Sequence, residues 1–203
     1  MGQVRVGTCA WADHDDFYPE GIKPRERLPY YAQWFNLVEV DSSYYALQPP
    51  RNFALWAAIT PADFRFHVKA YRVLTKHDRT PKPGEKDLDT VAEMFCRSIE
   101  PLAAAGKLTA LHFQFPPWFV RRPENFEYLT WVRERFARFL VAIEFRHRSW
   151  FATPAVSNET LAFLRDLQFA HTIVDEPQVG SGSIPAVIAV TNPRLAVIRF
   201  HGR

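Results

Sequence analysis

Phe64-Arg65-Phe66-His67-Val68-Lys69-Ala70 alternates apolar and basic-type side chains at every step. A period of two puts Arg65, His67 and Lys69 on one side of an extended chain and the apolar residues on the other, so the stretch reads as a strand with one polar face. Comparable runs lie at Val4–Thr8, Leu37–Asp41, Leu108–Phe115, Leu140–Phe145, Phe169–Val174 and Leu195–His201, making seven. Between them, helical periodicity marks Arg25–Phe35, Asn52–Ile59, Leu88–Ala105, Asn125–Phe139 and Asn158–Leu167. Strands alternating with helices predict an α/β fold of βα units around a parallel sheet. Asn158 is the expected cap of the last helix, whose stripe is Leu161, Phe163, Leu164 and Leu167, and Gly106 marks the end of Leu88–Ala105. Asp78–Lys86 reads as a surface loop and Val179–Ser183 as a Gly/Ser-rich one, while Ile184–Val190 fits helix or strand equally.

The 203 residues favour a single domain over 1–203. Hydrophobic residues at 47% and charged residues at 23% exclude wholesale disorder, and a net charge of +3 is too mild to imply nucleic acid without a clustered basic face. Two cysteines give no disulfide framework and the start lacks a long apolar stretch, so a cytoplasmic location is expected; no run is long enough to span a bilayer.

The polar parity recurs. Glu39 pairs with Asp41, His112 with Gln114, Glu144 with Arg146, and Arg199 with His201 and Arg203, each alternating with apolar neighbours. Ionisable groups on an inner face must pair, meet solvent or bind a ligand, because burying each alone costs several kcal/mol. These residues lie late in their strands, where parallel α/β folds build their sites. A salt-bridged layer without chemistry is the plainer alternative.

Several motifs together resemble the domain-of-unknown-function 72 (DUF72) family. They are Gly7-Thr8-Cys9-Ala10-Trp11, Phe17-Tyr18-Pro19, the stretch from Phe35 to Tyr45, Phe66-His67-Val68-Lys69-Ala70, Phe113-Gln114-Phe115-Pro116-Pro117, the stretch from Glu144 to Phe151, Val174-Asp175 and the terminal Arg199-Phe200-His201-Gly202-Arg203. The resemblance implies a TIM-type (β/α)8 barrel with a polar mouth and no established activity. Cys9-Ala10 stands where the family has Ser-Gly, Asp41-Ser42-Ser43-Tyr44 where Asn-Ser-Thr-Phe is common, and Lys76 separates a Thr and a His that usually adjoin. Family chains continue past His-Gly-Arg with an eighth βα unit, so the resemblance implies seven strands here and one of two things: a fragment of a longer chain, the favoured expectation, or a barrel left open at an edge through which a partner chain or another copy could associate.

The candidate catalytic residues are Glu39, Asp41, Glu144 and Asp175 as general bases, with His201 or Lys69 as acid or electrophile. The candidate ligand contacts are Trp11, Tyr45, Gln114, Arg146, His147, Trp150, Arg199 and Arg203, with Lys69 and the arginines suited to phosphate or carboxylate. Trp11, Tyr44, Tyr45, Trp118, Trp150 and Phe151 read as an aromatic rim or as a seal on the barrel top. Cys9 reads as a small buried residue before a nucleophile, and Cys96 as core. No cofactor and no metal site are expected: Glu39, Glu144, Asp175 and His201 offer carboxylates and an imidazole to a divalent ion, but Arg146 and Arg199 on the same parity would repel it. The expected function is acid–base chemistry on a small anionic, phosphorylated or sugar-like molecule. The alternatives are a nucleic-acid-binding or metal-dependent nucleic-acid-processing protein and a non-enzymatic sensor or scaffold; no membrane partner is expected.

Overall fold

The computed structural model describes residues 2–80, 82–179 and 183–202. Among the described residues there are six strands: β1 (Leu37–Val40), β2 (Arg65–Lys69), β3 (Leu108–Gln114), β4 (Val141–Glu144), β5 (Ala170–Asp175) and β6 (Val197–Phe200). They follow one another in the sheet in chain order. β1 with β2, β3 with β4, β4 with β5 and β5 with β6 pair in parallel, and Phe66 N–H donates to the Lys107 carbonyl at 2.8 Å ahead of β3. The helices are α1 (Pro24–Tyr31), α2 (Ser42–Tyr45), α3 (Pro50–Ala58), α4 (Leu88–Ala104), α5 (Pro123–Arg135) and α6 (Pro154–Asp166). None is long and apolar enough to cross a membrane.

One strand of the expected seven is replaced by irregular chain. Val4–Thr8 runs beside β1 but forms only a parallel bridge at Cys9 and Glu39, with Glu39 N–H donating to Thr8 O at 3.0 Å and Ala10 N–H to Glu39 O at 2.9 Å. Val4 and Val6 are 83% and 62% exposed, so the β-branched residues that suggested a strand gain little from burial there. Gly7 is needed at this edge, because a Cβ on it would stand 2.0 Å from the Leu37 carbonyl oxygen.

Four helices begin with proline, at Pro24, Pro50, Pro123 and Pro154, where its fixed φ and missing N–H cost nothing. α6 therefore starts before Asn158, and its cap is Thr153, whose hydroxyl accepts from Val156 N–H. Gly106 ends α4 as expected. Its φ is +64°, it donates to Ala103 O, and Lys107 N–H donates to Leu102 O, which satisfies two terminal carbonyls. α6 ends with the same bonds around Gln168, at φ +56°. Ile184–Val190 is neither helix nor strand.

The chain groups into two compact units. In Met1–Arg72 with Thr90–Ala110, the core is Val38, Val40, Phe53, Phe64, Phe66 and the buried stripe Val91, Phe95, Ile99 and Leu102 of α4; Cys96 beside that stripe is only half-buried. Lys107 is buried there because its ammonium caps the α3 end, donating to Ala57 O at 2.6 Å, Thr60 O at 2.7 Å and Thr60 Oγ1 at 3.1 Å. In Val73–Asp89 with Leu111–Arg203, Phe115 and Phe119 stack at 4.0 Å, and Phe145 and Trp150 stack at 4.0 Å.

Lys107→Met removes the ammonium from Thr60 O, Thr60 Oγ1 and Ala57 O and is expected to cost about 2 kcal/mol, read as a lower urea midpoint at unchanged slope. Gln168→Gly removes the left-handed strain and is expected to add up to about 1 kcal/mol, read as a higher midpoint; a lower one contradicts the cap assignment.

Candidate functional site

Glu144 ends β4 and is wholly enclosed. The parallel register sets Gln114 of β3 level with it, and Gln114 Nε2 donates to Oε1 at 2.7 Å. Two residues earlier on the same face of β3, buried His112 places Nε2 3.1 Å from Oε2. From β6, Arg199 Nη1 donates to Oε2 at 2.8 Å, and His201 Nε2 lies 3.8 Å from Oε1. Arg146, just past β4, holds Nη2 2.9 Å from Glu176 Oε2 and Nη1 3.6 Å from Glu144 Oε1. Arg146 Nη1 is buried and makes no hydrogen bond among the described residues.

Burial alone would push the Glu144 carboxyl up. The hydrogen bond and charge of His112 and those of Arg199 more than offset it and hold the group well below the usual carboxylate range. Burial pushes His201 below the ordinary histidine value; Arg199 and Arg146 add to that, and Glu144 and Glu176 oppose it. His201 is therefore a neutral imidazole at pH 7, half-exposed beside two guanidinium groups. Asp175 ends β5, and its backbone carbonyl accepts from His201 N–H at 2.9 Å, which fixes where the imidazole starts.

The first unit gathers a second set. Lys69 Nζ lies 3.1 Å from Asp41 Oδ1 and 5.0 Å from the Tyr44 ring centre, and Ser43 Oγ donates to Val40 O and Lys69 O. Buried Glu39 accepts from Cys9 Sγ at 3.5 Å. Cys9 is exposed rather than buried, since the chain around it never joins the sheet interior. Cys9, Glu39 and Asp41 bring three ligand-type atoms within 4.8 Å of one another, and the Lys69 ammonium already neutralises Asp41.

Among the expected ligand contacts, Trp150 is corrected: it is fully buried, its Nε1 donates to Phe119 O at 2.7 Å, and it serves the core, as does buried Phe151. His147 spends Nδ1 on Ser149 N–H and Oγ, capping the short 3-10 turn Arg148–Phe151. Trp11 packs edge-on against Trp56 at 5.0 Å, and Tyr45 is 68% exposed. Arg65 shares the polar parity but stands at the start of β2, bonded to the Ala62 and Phe64 carbonyls. Arg203 lies outside the described residues. Sequence reasoning missed Glu176 as the partner of Arg146: it follows the last strand residue, where alternation no longer says which way a side chain points.

A family profile described as "Protein of unknown function DUF72" matches residues 5–203. The chain belongs to the DUF72 family. This DUF72 chain is 40% identical over 203 residues to the UPF0759 protein YunF of Bacillus subtilis, covering 98% of itself and 70% of that relative. It superposes on the crystal structure of a DUF72 protein from Enterococcus faecalis V583 with a TM-score of 0.90 at 33% identity, covering 99% of itself and 71% of that chain. A DUF72 protein from Thermotoga maritima MSB8 gives 0.83 at 35%, covering 100% and 75%.

His171 on β5 is buried, with Nε2 3.0 Å from Val187 O; burial pushes its imidazole down, against the opposing pull of that carbonyl and of Glu144. His171 and His201 both titrate lower in the folded chain than in the unfolded one. The unfolded chain therefore binds more protons below about pH 6.5, and stability falls as pH drops. A urea midpoint that declines from pH 7 to pH 5, and declines less in His171→Gln, is expected; an unchanged slope in the variant removes His171 from the account.

Proposed function

We propose that this DUF72 protein binds a small anionic molecule at the carboxyl ends of β3, β4 and β6 and acts on it by acid–base chemistry, with its parallel strands forming part of a TIM-type barrel. One observation carries the reading: Arg146 Nη1, a buried donor 3.6 Å from a carboxylate already saturated by its neighbours, finds no hydrogen-bond acceptor among the described residues. Buried guanidinium donors are seldom left unpaired, and a phosphate or carboxylate oxygen supplies the missing acceptor.

In this reading Glu144 does not take the proton. A carboxyl held so far below its ordinary range is a poor base near neutral pH, so its role is to orient Arg199 and His112. Neutral His201 is the base, and Arg146 with Arg199 holds the substrate's negative group. A phosphorylated or sugar-acid substrate fits this arrangement.

Thermal melts in inorganic phosphate and in a panel of small carboxylates test it. At about 100 times the dissociation constant, a bound anion adds about 2.7 kcal/mol, a rise of several degrees for a chain of this size. Arg146→Ala is expected to melt cooperatively and to lose that rise, and His201→Gln to keep it. An anion response equal in wild type and Arg146→Ala leaves the cluster a salt-bridged layer.

A further inference from the structure

Lys76 is a second chemically distinctive group, in the turn that follows β2. Its backbone is left-handed, with φ +61°, a conformation glycine takes freely and a lysine does not. The turn is pinned on both sides of that peptide: Lys76 N–H donates to Val73 O at 3.2 Å, and Lys76 O accepts from Trp118 Nε1 at 2.9 Å. The half-buried ammonium stands 4.0 Å from the centre of the Tyr128 ring. That ring is neutral, since the buried phenol donates to Leu74 O at 2.6 Å and burial pushes its titration far up. Among the described residues no carboxylate pairs with Lys76, and burial alone draws its amine below the ordinary lysine range. Nearby, Arg79 lies over the face of Trp118 at 4.5 Å, and the His77 ring meets Trp118 edge-on at 5.9 Å, while Trp118 itself is 41% exposed.

A half-buried lysine held against an uncharged ring, with no carboxylate partner among the described residues, is the setting in which an amine becomes a nucleophile. We infer that Lys76 is a carbonyl-reactive amine, and that the Lys76, Arg79 and Trp118 surface accepts a planar aldehyde or ketone carrying an anionic group. The neutral amine nitrogen attacks the carbonyl carbon, and its proton passes to the carbonyl oxygen. The carbinolamine C–O bond then breaks, water leaves, and an imine remains. Trp118 offers a face for the planar part, and Arg79 offers its guanidinium to the anion. None of this uses Glu144, Arg146 or His201, so it stands or falls apart from the anion site proposed above.

Pyridoxal 5′-phosphate serves as the probe, since it unites an aldehyde, a planar ring and a phosphate. The full chain is mixed with an equimolar amount at pH 7, imines are reduced with borohydride, and labelled lysines are mapped by peptide mass spectrometry. Lys76 is expected to label at least about tenfold faster than exposed Lys23, Lys82 and Lys86. Raising the pH to 10 is expected to narrow that ratio, because the exposed amines gain most in unprotonated fraction there, whereas burial against Tyr128 has already drawn the Lys76 amine below the ordinary lysine range. Arg79→Ala is expected to slow labelling by pyridoxal 5′-phosphate but not by unphosphorylated pyridoxal. Labelling of Lys76 no faster than Lys23 at pH 7 overturns the inference. Reversible phosphate protection of Lys76 without any reduced adduct also overturns it, leaving an anion contact only.

Discussion

A carboxylate with no exposure to water cannot stand alone, and Glu144 is such a carboxylate. Moving it out of solvent costs several kcal/mol, which is recovered only if nearly every lone pair meets a donor. Gln114, His112 and Arg199 meet that demand from β3 and β6, so two strands on either side of β4 and β5 are committed to one acceptor. The requirement reaches outward. Arg146 turns to Glu176, Glu176 Oε1 accepts from Ile184 N–H at 2.6 Å, and the chain after β5 is thereby drawn in. The ends of the strands are thus arranged around the hydration that Glu144 gave up.

β6 shows how strongly that inner side is polar. Val197 and Arg199 are partly covered, while Ile198 and Phe200 are 55% and 76% exposed.

Much of this was legible in the sequence. Period-two alternation located β1 to β6 within a few residues, and the shared parity of Gln114, Glu144 and Arg199 anticipated that they would meet. Gly106 declared its helix end, because only a residue tolerant of positive φ closes α4 that way. Other features were hidden for physical reasons. The expected start of α4 at Leu88 is the observed one, whereas α1, α3, α5 and α6 begin one to four residues before periodicity places them, because a proline opens each. Val4–Thr8 has strand composition without the burial that makes such composition pay. Trp150 and His147 sit where a ligand contact would, but an indole stacked on Phe145 and an imidazole capping its own turn are decided by packing that no spacing reveals. Lys76 gave no signal beyond an unusual insertion between Thr75 and His77.

The link from β5 to β6 has neither helix nor strand in 184–190, yet it is firmly tethered. Thr191 Oγ1 accepts from His171 N–H and donates to Phe169 O, Asn192 Nδ2 donates to Gln168 O, and His171 meets Val187 O. A crossover helix would hold itself by its own backbone, and every one of its positions would carry a propensity. Here a hydroxyl, an amide and an imidazole carry the attachment, so most residues of the segment are released from any periodic pattern. A substitution in such a stretch leaves the strands it joins in register so long as His171, Thr191 and Asn192 keep their bonds.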